Sequence, residues 1–414
     1  MPYKKPLICV PMRAFSRNGG VLATLDLVDH LETSEHFRTR VINYFGEYQT
    51  RPKSDVEVRE PYVRGLGRLP LGLGRHLVSR QRNRMLEHGM RDADLIIMPD
   101  DWGVTFTAAF DIARRRNIPI CCVVHIDLDN KFSAPGRRQP WTKEQTLACY
   151  RKADLIICVS GGIRERLARD LPDRADHIIA IQNGVDLARI DRLAAEPLPE
   201  GTALPDLPCF TALGRLVWQK GFDLLIEAHA RLLAQGAERH AIAIIGEGPD
   251  RAALQAKATA LGVADTVHFL GYVENPFPIL ARSAGLVTSS RFEGFPLSTT
   301  EGCALGIPVI STTCNYGPAE ILDHGRYGAL VPVEDPQALA AAMQDHLAHP
   351  ETLRRKAAAS FRDRQRLSAE YCHARYEAAL AGIPLRNGRM RVEENAKLFP
   401  VVVPLPEPHV EGQP

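Results

Sequence analysis

The sequence predicts an α/β protein of two parallel-sheet domains, and three observations lead to this fold class. Short runs of consecutive apolar residues alternate with longer helical patterns from end to end. These runs lack the polar–apolar alternation of half-exposed strands, which indicates parallel strands covered by helices on both faces. The length of 414 residues suits two domains of ordinary size, and a proline-rich segment divides the strand series in two.

The strand candidates fall into two series. The first comprises residues 7–10, 95–98, 120–124, 155–159 and 178–181, and the second comprises residues 210–213, 241–245, 267–269, 285–288, 309–311 and 329–331. One helical segment of the second series has a single apolar stripe of Phe222, Leu225, Ile226, His229 and Leu233. Repeated strand–helix–strand units of this kind build parallel sheets.

The proline-rich segment, residues 194–208, contains four prolines and one glycine and is predicted to link the domains. Residues 1–193 then form the first domain and residues 209–350 the second. Residues 351–387 contain an amphipathic helical stretch. Residues 388–414 hold five prolines without a helical stripe, which predicts an extended or disordered tail.

Composition and charge exclude several classes of protein. Lysine and arginine number 51 against 49 acidic residues, a net charge of +2 that is too small for a dedicated nucleic-acid binder. The mean hydropathy is −0.16, and no stretch approaches the ~18 apolar residues of a membrane span. The apolar run at residues 7–10 is too short for a secretory signal. The nine cysteines include no C-x-x-C pair and lie mostly in apolar runs, which predicts reduced thiols of a cytoplasmic protein.

Residues 51–91 interrupt the regular alternation and carry ten basic residues against four acidic ones. Four glycines in this region predict a loop before a basic helix, namely Gly65, Gly67, Gly72 and Gly74. Two interpretations remain open. The basic face is either an ordinary solvated helix surface or a surface for an anionic lipid or a phosphorylated acceptor.

A pair of carboxylates follows the predicted strand at residues 285–288. Glu293 lies in the loop after this strand, where ligands bind in open α/β sheets, and Glu301 lies on the next helix. Gly294 is expected to permit a tight turn, and Pro296 suits the first turn of the helix. The helix start offers N–H groups to an anion, those of Phe295, Leu297 and Ser298. Carboxylates on both sides of a phosphate pocket suit a sugar nucleotide, which has hydroxyls at both ends of a diphosphate.

Two cations follow the first strand of the second series. Arg215 comes shortly after residues 210–213, and Lys220 precedes the amphipathic helix. Both are expected at the carboxyl edge of the same sheet as Glu293, close to a helix N-terminus. Two cations there suit a diphosphate whose charge grows as it departs, although ordinary salt bridges would produce the same pattern.

The motifs of the second half resemble those of the retaining glycosyltransferases of family 4, also called group 1. The resemblance rests on Gly214-Arg215-Leu216 with Lys220-Gly221, on Gly246-Glu247-Gly248-Pro249, and on Glu293 and Glu301 with seven residues between them. It holds in order and spacing from residue 210 to residue 332. The first half resembles the family less closely but has four landmarks, Gly19-Gly20, His125, Ser160 and Asn183.

The resemblance implies the GT-B fold, in which two Rossmann-like domains face each other across a cleft, with C-terminal helices at residues 351–387 that cross back to the first domain. It implies a retaining, metal-independent hexosyltransferase that moves a sugar from a nucleoside diphosphate sugar to a hydroxyl of a glycan or lipid-linked glycan. UDP is the favoured carrier, no cofactor is expected, and the pathway would be cell-surface polysaccharide or lipopolysaccharide biosynthesis. The protein would be cytoplasmic, with peripheral contact between residues 51–91 and an anionic membrane.

The resemblance also implies roles for individual residues in catalysis. Arg215 and Lys220 would hold the donor diphosphate, and Glu293 would contact the hydroxyls of the donor sugar. In the first domain, Gly20 would let a backbone N–H approach the distal phosphate, and His125 would lie beside the donor sugar.

The remaining donor contacts are less directly tied to the chemistry. Glu301 would contact the nucleotide ribose, and the base would lie near Tyr272 and Val273. Asn183 and Ser160 would serve mainly as turn and helix-cap residues. The loop after the strand at residues 285–288 would contribute Gly294, Phe295, Pro296 and Leu297.

Other interpretations fit single motifs. Asp127-Leu128-Asp129 matches the D-x-D string that binds a divalent metal in another glycosyltransferase fold, but it follows a strand of the first domain. Gly246-Glu247-Gly248 begins a dinucleotide fingerprint whose third glycine is replaced by Arg251, which disfavours an oxidoreductase. A sugar-nucleotide epimerase of the same fold and a non-catalytic binding or scaffold subunit remain as alternatives.

Overall fold

The computed structural model describes residues 5–44, 49–59, 73–99, 103–133, 141–202 and 204–385. The predicted tail at residues 388–414 lies outside the described residues, as do residues 60–72 of the basic region. Two parallel sheets, one of seven and one of six strands, organise the described residues. This architecture confirms the α/β fold class that the continuous apolar runs predict.

The first sheet is built from seven strands: β1 Leu7–Met12, β2 Arg38–Asn43, β3 Glu57–Arg59, β4 Leu95–Met98, β5 Ile120–Val124, β6 Leu155–Cys158 and β7 Ile178–Ala180. Their order is β3-β2-β1-β4-β5-β6-β7, and all neighbouring pairs are parallel. The helices of this half are α1 Gly19–Thr33, α2 Leu73–Gly89, α3 Gly103–Arg115, α4 Leu128–Ser133, α5 Lys143–Tyr150, α6 Gly161–Asp170 and α7 Leu187–Ala194. Strands β1, β4 and β5 are buried along their whole length, which explains their consecutive apolar residues.

Strands β2 and β3 were not predicted because they carry charged residues. Arg40 of β2 is buried, and its guanidinium lies 2.6 Å from Glu57 of β3 and 2.5 Å from Asp92. The two carboxylates compensate the loss of hydration of the guanidinium. A segment without a continuous apolar run can therefore still form a strand at this side of the sheet.

The second sheet is built from six strands: β8 Cys209–Leu213, β9 Ala241–Ile245, β10 Val267–Gly271, β11 Gly285–Thr288, β12 Val309–Thr312 and β13 Ala329–Val331. Their order is β10-β9-β8-β11-β12-β13, again with parallel pairs. The remaining helices are α8 Phe222–Ala234, α9 Arg251–Ala260, α10 Phe277–Ala281, α11 Leu297–Leu305, α12 Pro318–Ile321, α13 Pro336–Ala348, α14 Pro350–Arg362 and α15 Ala369–Ala381. Short 3₁₀ turns occur at Pro172–His177, Trp218–Lys220, Asp323–Gly325 and Arg364–Leu367.

In each sheet, the strands that directly follow the first strand in the chain lie on one side of it, and the later strands lie on its other side, so strand addition reverses direction there. Strand β1 lies between β2 and β4, and β8 lies between β9 and β11. Loops at the carboxyl ends of these neighbours diverge and leave a crevice, the usual ligand site of open α/β sheets. Gly20 follows β1, Arg215 follows β8 and Glu293 follows β11, so all three residues lie near the two reversal points.

The last helix, α15, lies on the first domain. His373 of α15 lies 3.1 Å from Asp26 of α1. Glu377 of α15 lies 3.1 Å from His30 of α1. Arg364, just before α15, forms an ion pair with Asp191 of α7 at 2.6 Å. The chain thus forms the first sheet, then the second, and returns to the first domain.

The apolar core of the first domain continues across the interface between the two sheets. It includes Phe295, which precedes α11, and Tyr376 of α15. Helix α7 packs against α10 and α11 of the second half. The two halves are therefore joined by apolar packing close to the cleft.

All nine cysteines are buried, as their position in apolar runs predicts. Burial raises the pKa of the Cys9 thiol to about 12, so this cysteine stays protonated at neutral pH. None of the helices in the described part of the chain is both long enough and apolar enough to span a bilayer.

Candidate active site

The structure places Lys220, the predicted diphosphate ligand, in contact with Glu293, the predicted sugar ligand. Glu293 belongs to residues 289–296, here called the donor loop. The Lys220 ammonium donates to Oε1 of Glu293 at 2.6 Å, and the Ser290 hydroxyl donates to the same oxygen at 2.7 Å. The Glu293 side chain is buried, and these two donors compensate the loss of its hydration.

The turn that carries Lys220 rests on the donor loop. Gly221 has a φ of +62°, and a Cβ there would lie 2.1 Å from the carbonyl oxygen of Ser289. The Ser289 hydroxyl donates to the Lys220 carbonyl at 3.1 Å. Both the conformation and the close approach require glycine, so the backbone before α8 is positioned by the loop after β11.

Gly294 is required for a different reason than the predicted tight turn. Its φ lies outside the left-handed region. A Cβ at this position would instead lie 1.8 Å from the carbonyl oxygen of His125. His125 follows β5 of the first domain, so the two halves of the site touch backbone to backbone. The contact between domains, rather than the local turn, demands glycine here.

The first-domain residues Gly20 and His125 lie side by side. A Cβ on Gly20 would lie 3.3 Å from the His125 ring. Gly20 is the second residue of α1, whose start is capped by Asn18 through a 3.0 Å bond from the N–H of Val21. The His125 ring also lines a small cavity together with Asn183. The predicted first-domain residues Gly20 and His125 thus lie together next to the donor loop.

Asn183 reaches the second domain, which its predicted role as a turn residue did not include. Its side-chain amide donates to the carbonyl oxygen of Phe295 at 3.5 Å. A Cβ on Gly19 would lie 3.7 Å from the side chain of Leu297. Ser160, by contrast, has the predicted role, because its hydroxyl accepts from the N–H of Ile163 and caps α6.

Arg215 lies just after the carboxyl end of β8, and its side chain is exposed. The backbone on either side of it packs closely against the loop after β9. Gly246 has a φ of +141°, and a Cβ there would lie 1.9 Å from the carbonyl oxygen of Gly214. The N–H of Leu216 donates to the Glu247 carbonyl at 2.9 Å. Because the loops after β8 and β9 pack together, the backbone that carries Arg215 is held in place.

Glu301 lies in the second turn of α11. Burial raises the pKa of its carboxyl to about 7, although the charges of Arg189 and Lys220 act in the opposite direction. The carboxyl therefore exchanges its proton near neutral pH. A ligand hydroxyl that donates to this group would favour its ionised form.

Tyr272 and Val273 follow β10, at the predicted position of the base. The Tyr272 side chain is 51% exposed. The guanidinium of Arg17, in the loop between β1 and α1, lies 4.5 Å from the centre of the Tyr272 ring. This cation–π contact bridges the cleft beside the predicted base position.

Both carboxylates of the D-x-D string bind other residues of the first domain. Asp129 accepts from Lys143 at 2.5 Å and forms an ion pair with Arg166 at 2.6 Å. Asp127 is buried and accepts from the N–H of Asn130 at 3.1 Å. Burial raises the pKa of Asp127, while hydrogen bonding to Lys143 lowers that of Asp129. Within the described ranges, no cluster of three or more histidine, cysteine or acidic side chains is placed to hold a metal ion.

Sequence reasoning missed Ser290 and Arg17 as parts of the site. Ser290 lies three residues before Glu293, and its hydroxyl could be recognised only once the loop conformation was known. Arg17 contacts Tyr272 across 255 positions of the chain, which no local pattern reveals. Both residues act through contacts that depend on the folded chain.

Comparison with known families settles the affiliation of the chain. The family described as "Glycosyltransferase Family 4" matches residues 17–189, and that described as "Glycosyl transferases group 1" matches residues 208–349. Together these matches cover most of the chain and every strand of the two sheets except β1. The chain belongs to the family 4, or group 1, glycosyltransferases. The resemblance inferred from the motifs is therefore confirmed.

Among curated proteins, this family 4 chain is similar to several glycosyltransferases. It is 33% identical to the lipopolysaccharide core biosynthesis glycosyltransferase LpsE of Rhizobium meliloti, over 49% of this chain and 56% of LpsE. It is 34% identical to the GDP-mannose-dependent alpha-(1-6)-phosphatidylinositol monomannoside mannosyltransferase of Mycolicibacterium smegmatis, over 48% of this chain and 54% of that enzyme. The chain spans about half the length of the curated relatives it matches.

Solved structures share the fold over nearly the whole family 4 chain. HepE of Anabaena, in complex with UDP and glucose, has a TM-score of 0.72 at 18% identity, over 91% of this chain and 99% of HepE. The lipopolysaccharide outer core galactosyltransferase WaaB has a TM-score of 0.67 at 18% identity, over the same shares of the two chains. At such low identity the likeness concerns the fold alone, and it confirms the GT-B architecture.

Proposed function

We propose that this protein transfers a sugar from a nucleoside diphosphate sugar to a hydroxyl of a glycan or lipid-linked glycan, with retention of configuration and without a metal ion. The observation that carries the proposal is the Lys220–Glu293 pair at the reversal point of the second sheet, next to Gly294, which touches His125 of the first domain. It combines a cation for the leaving group with a carboxylate for sugar hydroxyls. Family membership supports the reaction class.

The site suits a donor that carries negative charge in its centre and hydroxyls at its ends. Arg215 and Lys220 supply positive charge at the carboxyl edge of β8, and the N-terminus of α11 adds backbone N–H groups. Both contacts of Glu293 go to Oε1, so we expect Oε2 to accept from the sugar hydroxyls. Glu301, further along α11, would accept from the ribose.

The same groups explain how the protein would accelerate the transfer. In a front-face substitution, the bond from the anomeric carbon to the diphosphate oxygen breaks as the acceptor oxygen bonds to that carbon. The leaving oxygen takes the acceptor proton. The protein then positions two substrates and stabilises the charge that develops on the diphosphate. Arg215 and Lys220 perform the second task. Because the leaving oxygen itself takes the acceptor proton, the reaction needs no strong general base.

The donor and acceptor classes are proposed from related proteins. LpsE and WaaB are named for lipopolysaccharide assembly, and HepE was solved with UDP and glucose. These names support a UDP-sugar and a growing surface glycan. The mannosyltransferase of M. smegmatis is named for GDP-mannose, so donor panels must include GDP-sugars as well.

The basic region supports peripheral contact with an anionic membrane. Arg80 and Arg84 of α2 and Arg91 after it are exposed. Glu87, the acidic residue of α2, lies 3.6 Å from Arg116, which follows α3, and compensates little of this charge. More protein should co-sediment with phosphatidylglycerol vesicles than with phosphatidylcholine vesicles, and the double variant R80E/R84E should abolish this difference. Equal sedimentation with both lipids would contradict membrane contact.

The decisive test of the function is nucleotide release measured by mass spectrometry. UDP-glucose, UDP-galactose, GDP-mannose and ADP-glucose are each incubated with the protein, with and without a bacterial lipid extract, beside Glu293→Ala. Release from one donor that disappears in the variant supports a transferase and identifies its donor. Tight nucleotide binding without release would favour a scaffold subunit. Absence of binding to every donor would refute the proposal.

A further inference from the structure

Glu320 of the second domain caps a helix of the first domain. Its carboxylate accepts from the N–H of Gly161 at 2.9 Å through Oε2 and from the N–H of Gly162 at 3.0 Å through Oε1. The side-chain amide of Gln182, also in the first domain, donates to Oε2 at 3.3 Å. Three donors of one domain thus converge on a single carboxylate of the other.

The start of α6 is shaped to receive this carboxylate. A Cβ on Gly161 would lie 3.5 Å from Glu320 Oε2, and a Cβ on Gly162 would lie 2.5 Å from the ring of Tyr316. The first N–H groups of a helix lack partners within the helix, and its N-terminus carries partial positive charge. Two successive glycines let residues 316–320 approach this end closely enough for the carboxylate to reach both groups.

Residues 316–320, the segment that carries Glu320, also pack directly on the donor loop. Gly317 has a φ of +88°, and a Cβ there would lie 2.6 Å from the carbonyl oxygen of Gly294 and 2.9 Å from the Cα of Phe295. Gly294 is the residue that touches His125, and Phe295 is the residue that accepts from Asn183. A shift of residues 316–320 away from α6 would therefore move the backbone on which Glu293 is carried.

We propose that Glu320 is a positioning residue, an interdomain latch that holds the donor loop against the first domain in the arrangement needed for transfer. The inference rests on the proposed function for the reaction, but the contact itself does not. The Glu320 carboxylate binds Gly161, Gly162 and Gln182 of the first domain. It acts through the packing of Gly317 on the donor loop.

The latch depends on the two oxygens and the charge of the carboxylate. Glu320→Gln keeps the shape but replaces one acceptor by an NH₂ group that faces an N–H donor. Of the groups proposed to hold the nucleotide, Arg215, Lys220 and Glu301 belong to the second domain, and only the backbone N–H at Gly20 belongs to the first. We therefore expect Glu320→Gln to lower kcat at least tenfold while the dissociation constant for UDP changes less than threefold.

The experiment combines kinetics with amide hydrogen exchange on the full chain. Turnover is measured with the donor that the release panel identifies, and UDP is the binding probe. Exchange of residues 161–163 is measured without ligand, and it should accelerate at least tenfold in Glu320→Gln. Glu320→Asp, which keeps the charge, should recover part of both effects. Glu351→Gln, an exposed glutamate in the first turn of α14, is the matched control and should change neither.

The outcomes separate the latch from the proposed function. Faster exchange with lower kcat and unchanged UDP binding supports the latch. Faster exchange with unchanged kcat, or no change in either quantity, overturns it. If the wild-type protein cleaves none of the donors, the proposed function fails. The contact is then judged by exchange alone, where acceleration supports it and unchanged exchange overturns it.

Discussion

Lys220 and Glu293 form an ion pair at 2.6 Å, and we propose that the phosphate and the sugar of a donor meet at this pair. A donor that enters this site must share the Lys220 ammonium with the carboxylate. Oε1 of Glu293 also accepts from Ser290, so the carboxylate keeps one partner when Lys220 turns toward a phosphate. The pair thus holds both side chains in position before a ligand arrives.

Replacing Lys220 should affect both turnover and stability. Loss of one cation that stabilises the leaving charge raises the barrier by about 3–4 kcal/mol, so Lys220→Met should lower kcat a hundred- to a thousandfold. Glu293 also loses a partner while buried, so Tm should fall. The double variant Lys220→Met/Glu293→Gln should recover Tm but not activity. Lys257→Met, which removes a similar pair with Glu227 outside the site, is the control. A fall in turnover equal to that of the control would contradict the assignment.

Arg215 should contribute to turnover but little to stability, because its side chain is exposed. Arg215→Ala is expected to reduce turnover a hundred- to a thousandfold, again about 3–4 kcal/mol of barrier. Thermal unfolding should be almost unchanged. Steady-state rates with the identified donor measure the effect. A turnover within threefold of the wild type would remove Arg215 from the site.

Gly294→Ala tests whether the interdomain contact is needed for transfer. Its Cβ would lie 1.8 Å from the carbonyl oxygen of His125, so the domains must separate or the donor loop must shift. Transfer should fall at least a hundredfold, with UDP binding within about threefold because the proposed side-chain ligands of the nucleotide lie on the second domain. Gly382→Ala is the matched control, since a Cβ there would meet its nearest atom at 3.5 Å. Full activity of Gly294→Ala would show that this contact is dispensable.

The raised pKa of Glu301 predicts a pH-dependent affinity for the donor. Since the pKa is about 7, the carboxyl is protonated below this pH and ionised above it. Ribose hydroxyls donate more strongly to the ionised form, so UDP-glucose should bind more tightly as the pH rises from 6 to 8. UDP-glucose is suitable because its diphosphate does not titrate in this range. Glu301→Gln should bind it with the same affinity at both pH values, and a persistent slope would contradict the assignment.

The raised pKa also has a consequence for folding. A folded-state pKa above the unfolded value means that the folded protein binds the additional proton between about pH 4.5 and 7. The contribution of this group to stability is fully present below that window and is lost as the pH rises through it. The free energy of unfolding, measured by chemical denaturation, should therefore fall less between pH 5 and pH 8 in Glu301→Gln than in the wild type.

Transfer should proceed in excess chelator. The two acidic residues of the D-x-D string are engaged, Asp129 by Lys143 and Arg166, and Asp127 by the N–H of Asn130. We expect the charge of the leaving diphosphate to be met by Arg215 and Lys220 instead. Donor turnover with 10-fold excess EDTA over added metal should equal turnover without it. Abolition by chelator and recovery with a divalent ion would overturn metal independence.

Much of the fold could be predicted because buried parallel strands have a distinct local pattern. Ala241–Ile245 and Gly285–Thr288 are strands at the predicted bounds, and both are runs of consecutive buried residues. The exceptions are informative. Strand β2 depends on Arg40, whose burial is tolerated only because Glu57 and Asp92 lie beside it. No pattern within β2 could indicate partners that lie 17 and 52 positions away.

The sequence by itself determined the family, the two-sheet architecture and the residues that meet at each sheet edge. Spacing along the chain sets which residue types follow which strand, and parallel strands bring those positions to one edge. Only the tertiary structure decided how the edges meet: that Lys220 pairs with Glu293, that Gly294 touches His125, and that Glu320 caps α6. These contacts join residues 73, 169 and 159 positions apart. The first contact depends on how two loops of the second sheet pack, and the other two depend on how the domains pack; local sequence encodes neither.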